Sequence, residues 1–234
     1  EVVVVQPSEM ALVSAYASSR DSEIDRVGSL SKILSNDFGA AIICGGALLN
    51  KLPSRKAFLK NVLSIKLGEN FDPASMAEKL TFMGYERVGT VENRGEFSWR
   101  GDVLDLFSPD MNKPLRISFF DDEIDQLKYF DTQSQRSEEV LKKAKIYPSR
   151  EIVIDSDKRS ELATAMYSAA VEDSNNMKAS SQKAIADMLL KTASSDSEAI
   201  RNGLRCSGIA RWTDILIDSP SSVLDYIDLK ECMV

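Results

Sequence analysis

The segment LRISFF, residues 115–120, combines an arginine and an aromatic ring in a spacing that suits protein binding. In a β-strand, successive side chains point to opposite faces, so Arg116 and Phe120 would share one face. Arginine and aromatic residues dominate the energetically important contacts of protein interfaces, because a guanidinium forms several directed bonds and a ring buries a large area. The pattern predicts a docking surface, unless a neighbouring helix of the same chain covers Phe120.

Catalytic chemistry has few candidate residues here. The sequence contains no histidine, which excludes Ser-His-Asp and Cys-His catalysis and removes the commonest metal ligand. The nearest approach to a phosphate-binding loop is CGGALLNKLPS, residues 44–54, which lacks a glycine directly before Lys51 and a Ser or Thr directly after it. We interpret this segment as a strand that ends in a Gly-Gly turn. We expect no nucleotide site, no cofactor and no catalytic residue.

Several carboxylates lie close together in the sequence and could suggest a metal or acid–base site. They are Asp102, Asp105, Asp121, Asp122 and Glu123. Aspartates at such positions more often form turns or face solvent, so we expect no metal. The cysteines Cys44, Cys206 and Cys232 are widely spaced and fit neither a disulfide framework nor a CxxC metal site. They are expected to be free thiols.

Charge and hydropathy limit the partners. The 234 residues carry a net charge of -7, whereas a domain that neutralises a phosphate backbone needs clustered Lys and Arg. We therefore expect weak or no direct DNA binding. No apolar run approaches the ~20 residues that span a bilayer, and the N-terminus EVVVVQPSE lacks the features of a signal peptide. These features predict a cytoplasmic chain without a membrane partner.

The N-terminal elements that flank this region alternate between strand and helix. The runs VVVV at 2–5 and AAIIC at 40–44 are typical of strands buried on both faces of a parallel sheet. Between them, Ser22 followed by Asp25 resembles a capping box ahead of apolar residues at helical spacing. The pattern predicts a strand–helix–strand unit.

The middle of the chain changes character. Asp72-Pro73 predicts the start of a helix and Gly84 its end. Alternating segments with tight turns between residues 85 and 130 then predict an antiparallel meander. Helices are expected after Pro148, followed by a short helix and a strand at the end of the sequence. A strand at the last residues suggests a piece of a longer protein.

Residues 84–152 resemble a known family. The blocks RGDVLDLF and FFDDEID are similar to the excision-repair protein UvrB, while FDTQSQRSEEV followed by IYPSRE resembles the bacterial transcription-repair coupling factor. The resemblance implies an α/β fold: a degenerate helicase-like (RecA-like) domain in two chain segments, 1–61 and 150–234, and an inserted α+β domain with a mainly antiparallel sheet. The inserted domain, residues 62–149, would bind the excinuclease subunit UvrA.

The same resemblance implies that Arg100, Arg116 and Phe120 contact UvrA. For Arg100, the alternation of side chains along the strand agrees with this implication: Phe97 and Trp99 would face the core, so Arg100 would face outward. All three side chains are expected to be reachable by solvent, so truncating any of them should weaken UvrA binding and leave folding almost unchanged.

The family implies a non-catalytic module that recruits UvrA to RNA polymerase stalled at DNA damage. In the full-length family protein, RNA polymerase, DNA and a C-terminal domain of the same chain are further partners, and an ATP-driven motor lies in a separate region. Two alternatives stay open. One is a fragment of UvrB, which would bind the same partner but use ATP and grip damaged DNA; the other is a nucleotide-dependent α/β enzyme.

Overall fold

The computed structural model describes residues 2–8, 19–179 and 182–228, and in this part of the chain α-helices and β-strands are mixed. The strands are β1 Val2–Val5, β2 Ala40–Ile43, β3 Leu63–Lys66, β4 Glu86–Arg87, β5 Glu96–Arg100, β6 Val103–Leu106, β7 Leu115–Phe120, β8 Glu123–Phe130, β9 Ser137–Val140 and β10 Lys143–Ile146. The α-helices are α1 Arg20–Ser35, α2 Arg55–Lys60, α3 Pro73–Phe82, α4 Arg159–Ala179, α5 Lys183–Arg201 and α6 Thr213–Leu216. Short 3-10 helices span Gly45–Leu49, Ile209–Trp212 and Val223–Tyr226. Among the described residues, no helix combines the length and apolar character needed to cross a bilayer.

The predicted strand–helix–strand unit is confirmed. β1 and β2 pair in parallel, with Val2 opposite Ala40 and Val5 opposite Ile43, and α1 connects them. The predicted start of α1 is wrong, because the helix already begins at Arg20 and Ser22 lies inside its first turn. The residue before the helix, Ser19, makes no side-chain capping bond.

The expectation that both faces of this parallel pair are buried is also wrong for the described residues. Val3 and Val5 are almost fully buried, whereas Val2 and Val4 are exposed. Ile42 on β2 is exposed as well. Only the face that carries Val3 and Val5 contributes to a core, so the continuous apolar sequence of the two strands did not reveal which face would be covered.

The middle of the chain is a helix packed on a mainly antiparallel sheet. The Asp72 carboxylate accepts hydrogen bonds from the backbone N–H groups of Ala74 and Ser75 and so caps α3. Gly84 follows the helix with a φ of +97°, a left-handed conformation that favours glycine. The sheet order is β4-β5-β6-β7-β8-β9, and every neighbouring pair is antiparallel except β4 and β5. The predicted meander is confirmed.

Three apolar clusters organise the described residues. The first lies within the middle of the chain, between Leu63 and Ile146, and joins α3 to one face of the six-stranded sheet. The second combines the start of the chain with its far end, because Val3 and Val5 share it with Val223 and Tyr226. The third joins α4 and α5 to the segment around Trp212. Domain boundaries at residues 62 and 149 stay a prediction, since packing alone does not show which parts fold independently.

Helix α1 contributes to the second cluster and also contacts the middle of the chain. Arg26 donates its Nε–H to the Glu151 carboxylate at 2.6 Å, and only 10% and 11% of these two side chains are exposed. On the same helix, a Cβ at Gly28 would lie 2.5 Å from the carbonyl oxygen of Pro109, so only glycine allows this approach. Burial and the negative charge of Glu151 raise the pKa of nearby Glu23.

Replacing Arg26 by Ala should therefore destabilise the protein strongly. The change leaves Glu151 buried beside Glu23 without its bonded cation, and breaking a buried ion pair typically costs about 3–5 kcal/mol. The exposed pair Lys60–Asp155, 3.0 Å apart, also joins distant segments and provides the control. Lys60→Ala should change the free energy of unfolding by less than about 1 kcal/mol. Urea unfolding followed by circular dichroism measures both, and equal losses would contradict the role of the buried pair.

The two long C-terminal helices also shield a thiol. Cys206 is 5% exposed, and burial together with the negative charge of Asp196 raises its pKa to about 12. Cys44 is half-buried, and both cysteines are free, as predicted. Cys232 lies outside the described residues.

We expect these two thiols to differ in reactivity. The thiolate is the reactive form, so at pH 8 the native protein should react with iodoacetamide at Cys44 much faster than at Cys206. In urea both should react at similar rates. Peptide mass spectrometry over a time course reads out each position, and rapid native labelling of Cys206 would disprove its protected state.

Candidate protein-binding surface

The six-stranded sheet has one face in the core and one face turned outward, and strand alternation assigns each side chain to a face. The inner face packs in the core: its buried side chains include Phe97, Leu104, Leu106, Leu115, Ile117 and Phe119. The outer face carries Arg100 on β5, Asp105 on β6, and Arg116 and Phe120 on β7. The strand register places Asp105 directly opposite Arg116. Val103 on β6 lies opposite Arg100 on β5 and opposite Ser118 on β7.

Asp105 is the centre of this outer face. Its side chain is only 2% exposed, although it lies on the face turned away from the core. Arg116 binds it with two parallel hydrogen bonds, Nε to Oδ1 at 2.7 Å and Nη2 to Oδ2 at 2.8 Å. Arg100 Nη2 lies 3.7 Å from Oδ2. The expectation that Asp105 forms a turn or faces solvent is therefore wrong.

Arg116 is held from several directions. Besides Asp105, its Nη1 donates to the backbone carbonyl of Gln135 at 3.1 Å, and its guanidinium carbon lies 4.5 Å from the centre of the Phe130 ring. Gln135 adopts a left-handed φ of +57° in the loop that follows β8. The hydrogen bonds to Asp105 raise the pKa of Arg116 further above its usual range. Only 20% of this side chain is exposed, so Arg116 is less accessible than the sequence predicted.

Phe120 and Arg100 are open to solvent. Phe120 is 74% exposed, and the Arg100 side chain is 61% exposed. The alternative in which a helix of the same chain covers Phe120 does not hold for the described residues. Arg100 is the last residue of β5 and Phe120 is the last residue of β7. Both strands run antiparallel to β6, so these two residues lie at the same end of the sheet. There the Phe119 N–H donates to the Asp102 carbonyl in the β5–β6 turn.

An acidic rim borders this end of the sheet. Asp121, Asp122 and Glu123 are exposed, and Asp121 turns the chain from β7 into β8 with a φ of +53°. These residues have the turn and solvated positions that the sequence predicted. No group of three or more Asp, Glu or Cys side chains within the described ranges is arranged to hold a metal ion.

One cleft lies away from this face. It has a volume of about 370 Å³ and is formed by α2, the segment 151–155 and the start of α4. The weak phosphate-loop candidate is a short 3-10 helix, Gly45–Leu49, that follows β2. Its lysine, Lys51, forms an ion pair with Asp214.

The family described as the UvrB interaction domain matches residues 63–152. The chain is 25% identical over 225 residues to the transcription-repair-coupling factor of Bacillus subtilis (strain 168), an alignment that covers 96% of this chain and 19% of the relative. It is 32% identical over 207 residues to the transcription-repair-coupling factor of Myxococcus xanthus, covering 87% of this chain and 17% of the relative. The corresponding protein of Staphylococcus aureus (strain bovine RF122 / ET3-1) is 27% identical over 206 residues, with 86% and 17% covered.

The chain thus spans less than a fifth of the length of these relatives. The matched domain covers all of the six-stranded sheet and α3, while the similarity to the relatives extends into both flanking segments. The chain belongs to the transcription-repair-coupling factor family, as the N-terminal, UvrB-like module that contains the UvrB interaction domain.

Proposed function

We propose that this chain is a non-catalytic module that recruits UvrA to RNA polymerase stalled at DNA damage, and that UvrA binds the outer face of the six-stranded sheet. The observation that carries the proposal is the exposure of Phe120, at 74%, on the face that also presents Arg100 and Arg116. The UvrB interaction domain supports the choice of partner.

The chemistry of the face suits a specific protein contact. An exposed phenyl ring gains free energy when a partner covers it, because its apolar surface leaves water. Nearby guanidiniums add directed bonds to carbonyl or carboxylate groups of the partner. Exposed acidic side chains at Asp121, Asp122 and Glu123 would repel a phosphate backbone, so this end of the sheet fits a protein better than DNA.

The other partners of the proposed function belong to the longer protein. RNA polymerase, DNA and a C-terminal domain that covers the UvrA-binding face would act through regions outside this chain, as would an ATP-driven motor. The flanking segments would form the degenerate helicase-like domain that carries the inserted domain, and the chain would act in the cytoplasm.

Replacing Phe120 by Ala should weaken UvrA binding without affecting folding. Loss of a central aromatic contact typically costs about 2 kcal/mol, which corresponds to a roughly 30-fold higher dissociation constant. The control is Leu49→Ala, which removes an apolar side chain that is 85% exposed but lies outside the sheet. Isothermal titration of UvrA measures both variants, and melting temperatures confirm that both are folded. Wild-type affinity of Phe120→Ala would contradict the proposed site.

Arg116→Ala should differ from Phe120→Ala in its effect on folding. It removes both hydrogen bonds to Asp105, a carboxylate that is 2% exposed, and leaves Arg100 at 3.7 Å as the nearest cation. Leaving such a group without its bonds should cost about 2–3 kcal/mol of stability. Arg100→Ala, which removes a largely exposed side chain, should cost less than about 1 kcal/mol. Urea unfolding compares the two, and equal stability of both variants would show that Arg116 is only a surface residue.

A further inference from the structure

We propose that Asp105 is a positioning residue of the UvrA-binding surface: it fixes the guanidinium of Arg116, and more loosely that of Arg100, in the orientation that the partner recognises. The inference rests on the proposed function, because the partner is the one proposed there. It adds a buried residue that the partner does not need to touch.

The location of Asp105 suits this role. β6 lies between β5 and β7 in the sheet, so a side chain on its outer face can reach arginines from both neighbouring strands. The opposite residue on β5, Ser98, directs its hydroxyl to the Gly89 carbonyl. Both arginines approach the Asp105 carboxylate within 4 Å, Arg116 at 2.7 Å and Arg100 at 3.7 Å. The Asp105 carboxylate is therefore placed to orient these two arginines.

The bonds of Arg116 leave a defined part of it available. A guanidinium has five N–H donors, of which Arg116 directs one from Nε and one from Nη2 to Asp105 and one from Nη1 to Gln135. One face of its plane lies over Phe130. Two N–H donors and the opposite face of the guanidinium remain available to a partner. Their directions are fixed, because the guanidinium cannot rotate while both hydrogen bonds to Asp105 are made.

Fixing the arginines in advance favours binding. An exposed arginine occupies many rotamers, and a partner that binds one of them must immobilise the side chain at an entropic cost. Because Asp105 already restricts the arginine in the folded protein, this entropy is lost during folding and not when the partner binds. Two guanidiniums with one carboxylate also keep a net positive charge, so the preorganised group should bind backbone carbonyls or carboxylates of UvrA.

The test is Asp105→Asn, which keeps the size of the side chain but removes its charge and one acceptor. We expect the dissociation constant for UvrA to rise about tenfold or more, although the partner contacts Asp105 little or not at all. The matched variant is Glu139→Gln, an equally isosteric change at an exposed position of β9. It should bind UvrA as the wild type does.

A mutant cycle separates positioning from a general loss of structure. In the Arg100→Ala, Arg116→Ala background, Asp105→Asn should cause no further loss of UvrA affinity, because its two targets are absent. An additional tenfold loss in that background would overturn the inference. If Phe120→Ala, Arg100→Ala and Arg116→Ala all bind UvrA like the wild type, the proposed function fails. If those variants weaken binding but Asp105→Asn does not, only the positioning role fails.

An observation without UvrA gives an independent check. In the wild type, the Nε–H of Arg116 should exchange slowly with water and give a sharp signal in a ¹H–¹⁵N correlation spectrum. In Asp105→Asn this signal should exchange at least about tenfold faster while the dispersion of the backbone amide signals is retained. An unchanged signal would overturn the inference.

Arg116→Lys covers the case in which Asp105→Asn does not fold. The ammonium keeps the charge but cannot make two parallel bonds with fixed directions. It should bind UvrA about tenfold more weakly than the wild type does. Binding equal to the wild type would show that charge alone is sufficient and would contradict the positioning role.

Discussion

A buried carboxylate with two cations organises the outer face of the six-stranded sheet. Asp105 is excluded from water, and the residues before and after it on β6, Leu104 and Leu106, are fully buried in the core. A carboxylate in such a position is tolerated only with bonded cations, because its desolvation would otherwise be costly. Arg116 satisfies this requirement with two bonds. The buried Asp105 carboxylate thus fixes where the guanidinium of Arg116 lies in the folded sheet.

The face that results has a fixed part and an exposed part. Arg116 is held between Asp105, Gln135 and Phe130, while Arg100 and Phe120 extend into solvent. The loop between β8 and β9 contributes to the fixed part, because its Gln135 carbonyl accepts a bond from Arg116. Such a combination gives directional bonds from rigid groups and apolar burial from a ring, which is the common composition of a strong interface centre.

The sheet is supported by α1, which belongs to the N-terminal segment. Arg26 pairs with Glu151 near the end of the matched domain, and the Gly28 backbone approaches Pro109 in its middle. Arg20 extends the same connection, since its Nη2 donates to the Gly95 carbonyl at the start of the β5 region. None of these three contacts involves Arg100, Arg116 or Phe120 on the outer face of the sheet.

The sequence by itself determined the features that follow from local periodicity. The alternation of LRISFF put Arg116 and Phe120 on one face, Asp72-Pro73 and Gly84 marked the ends of α3, and the two apolar runs predicted a parallel pair. Each strand face and helix end depends only on residues close together in the chain, whereas the parallel pairing joins two runs 38 residues apart. The choice of Arg100 came from family resemblance, with alternation indicating only that it faces outward.

The tertiary structure alone decided the rest. Whether Asp105 is buried depends on which strands flank β6 and on Arg116, eleven residues away in sequence. The restraint of Arg116 by Gln135 depends on a loop whose path is not encoded in a strand pattern. The exposure of Val2, Val4 and Ile42 likewise depends on what covers the parallel pair. A pattern of apolar and polar residues gives the face of a side chain, but the partner that satisfies or covers it comes from distant parts of the chain.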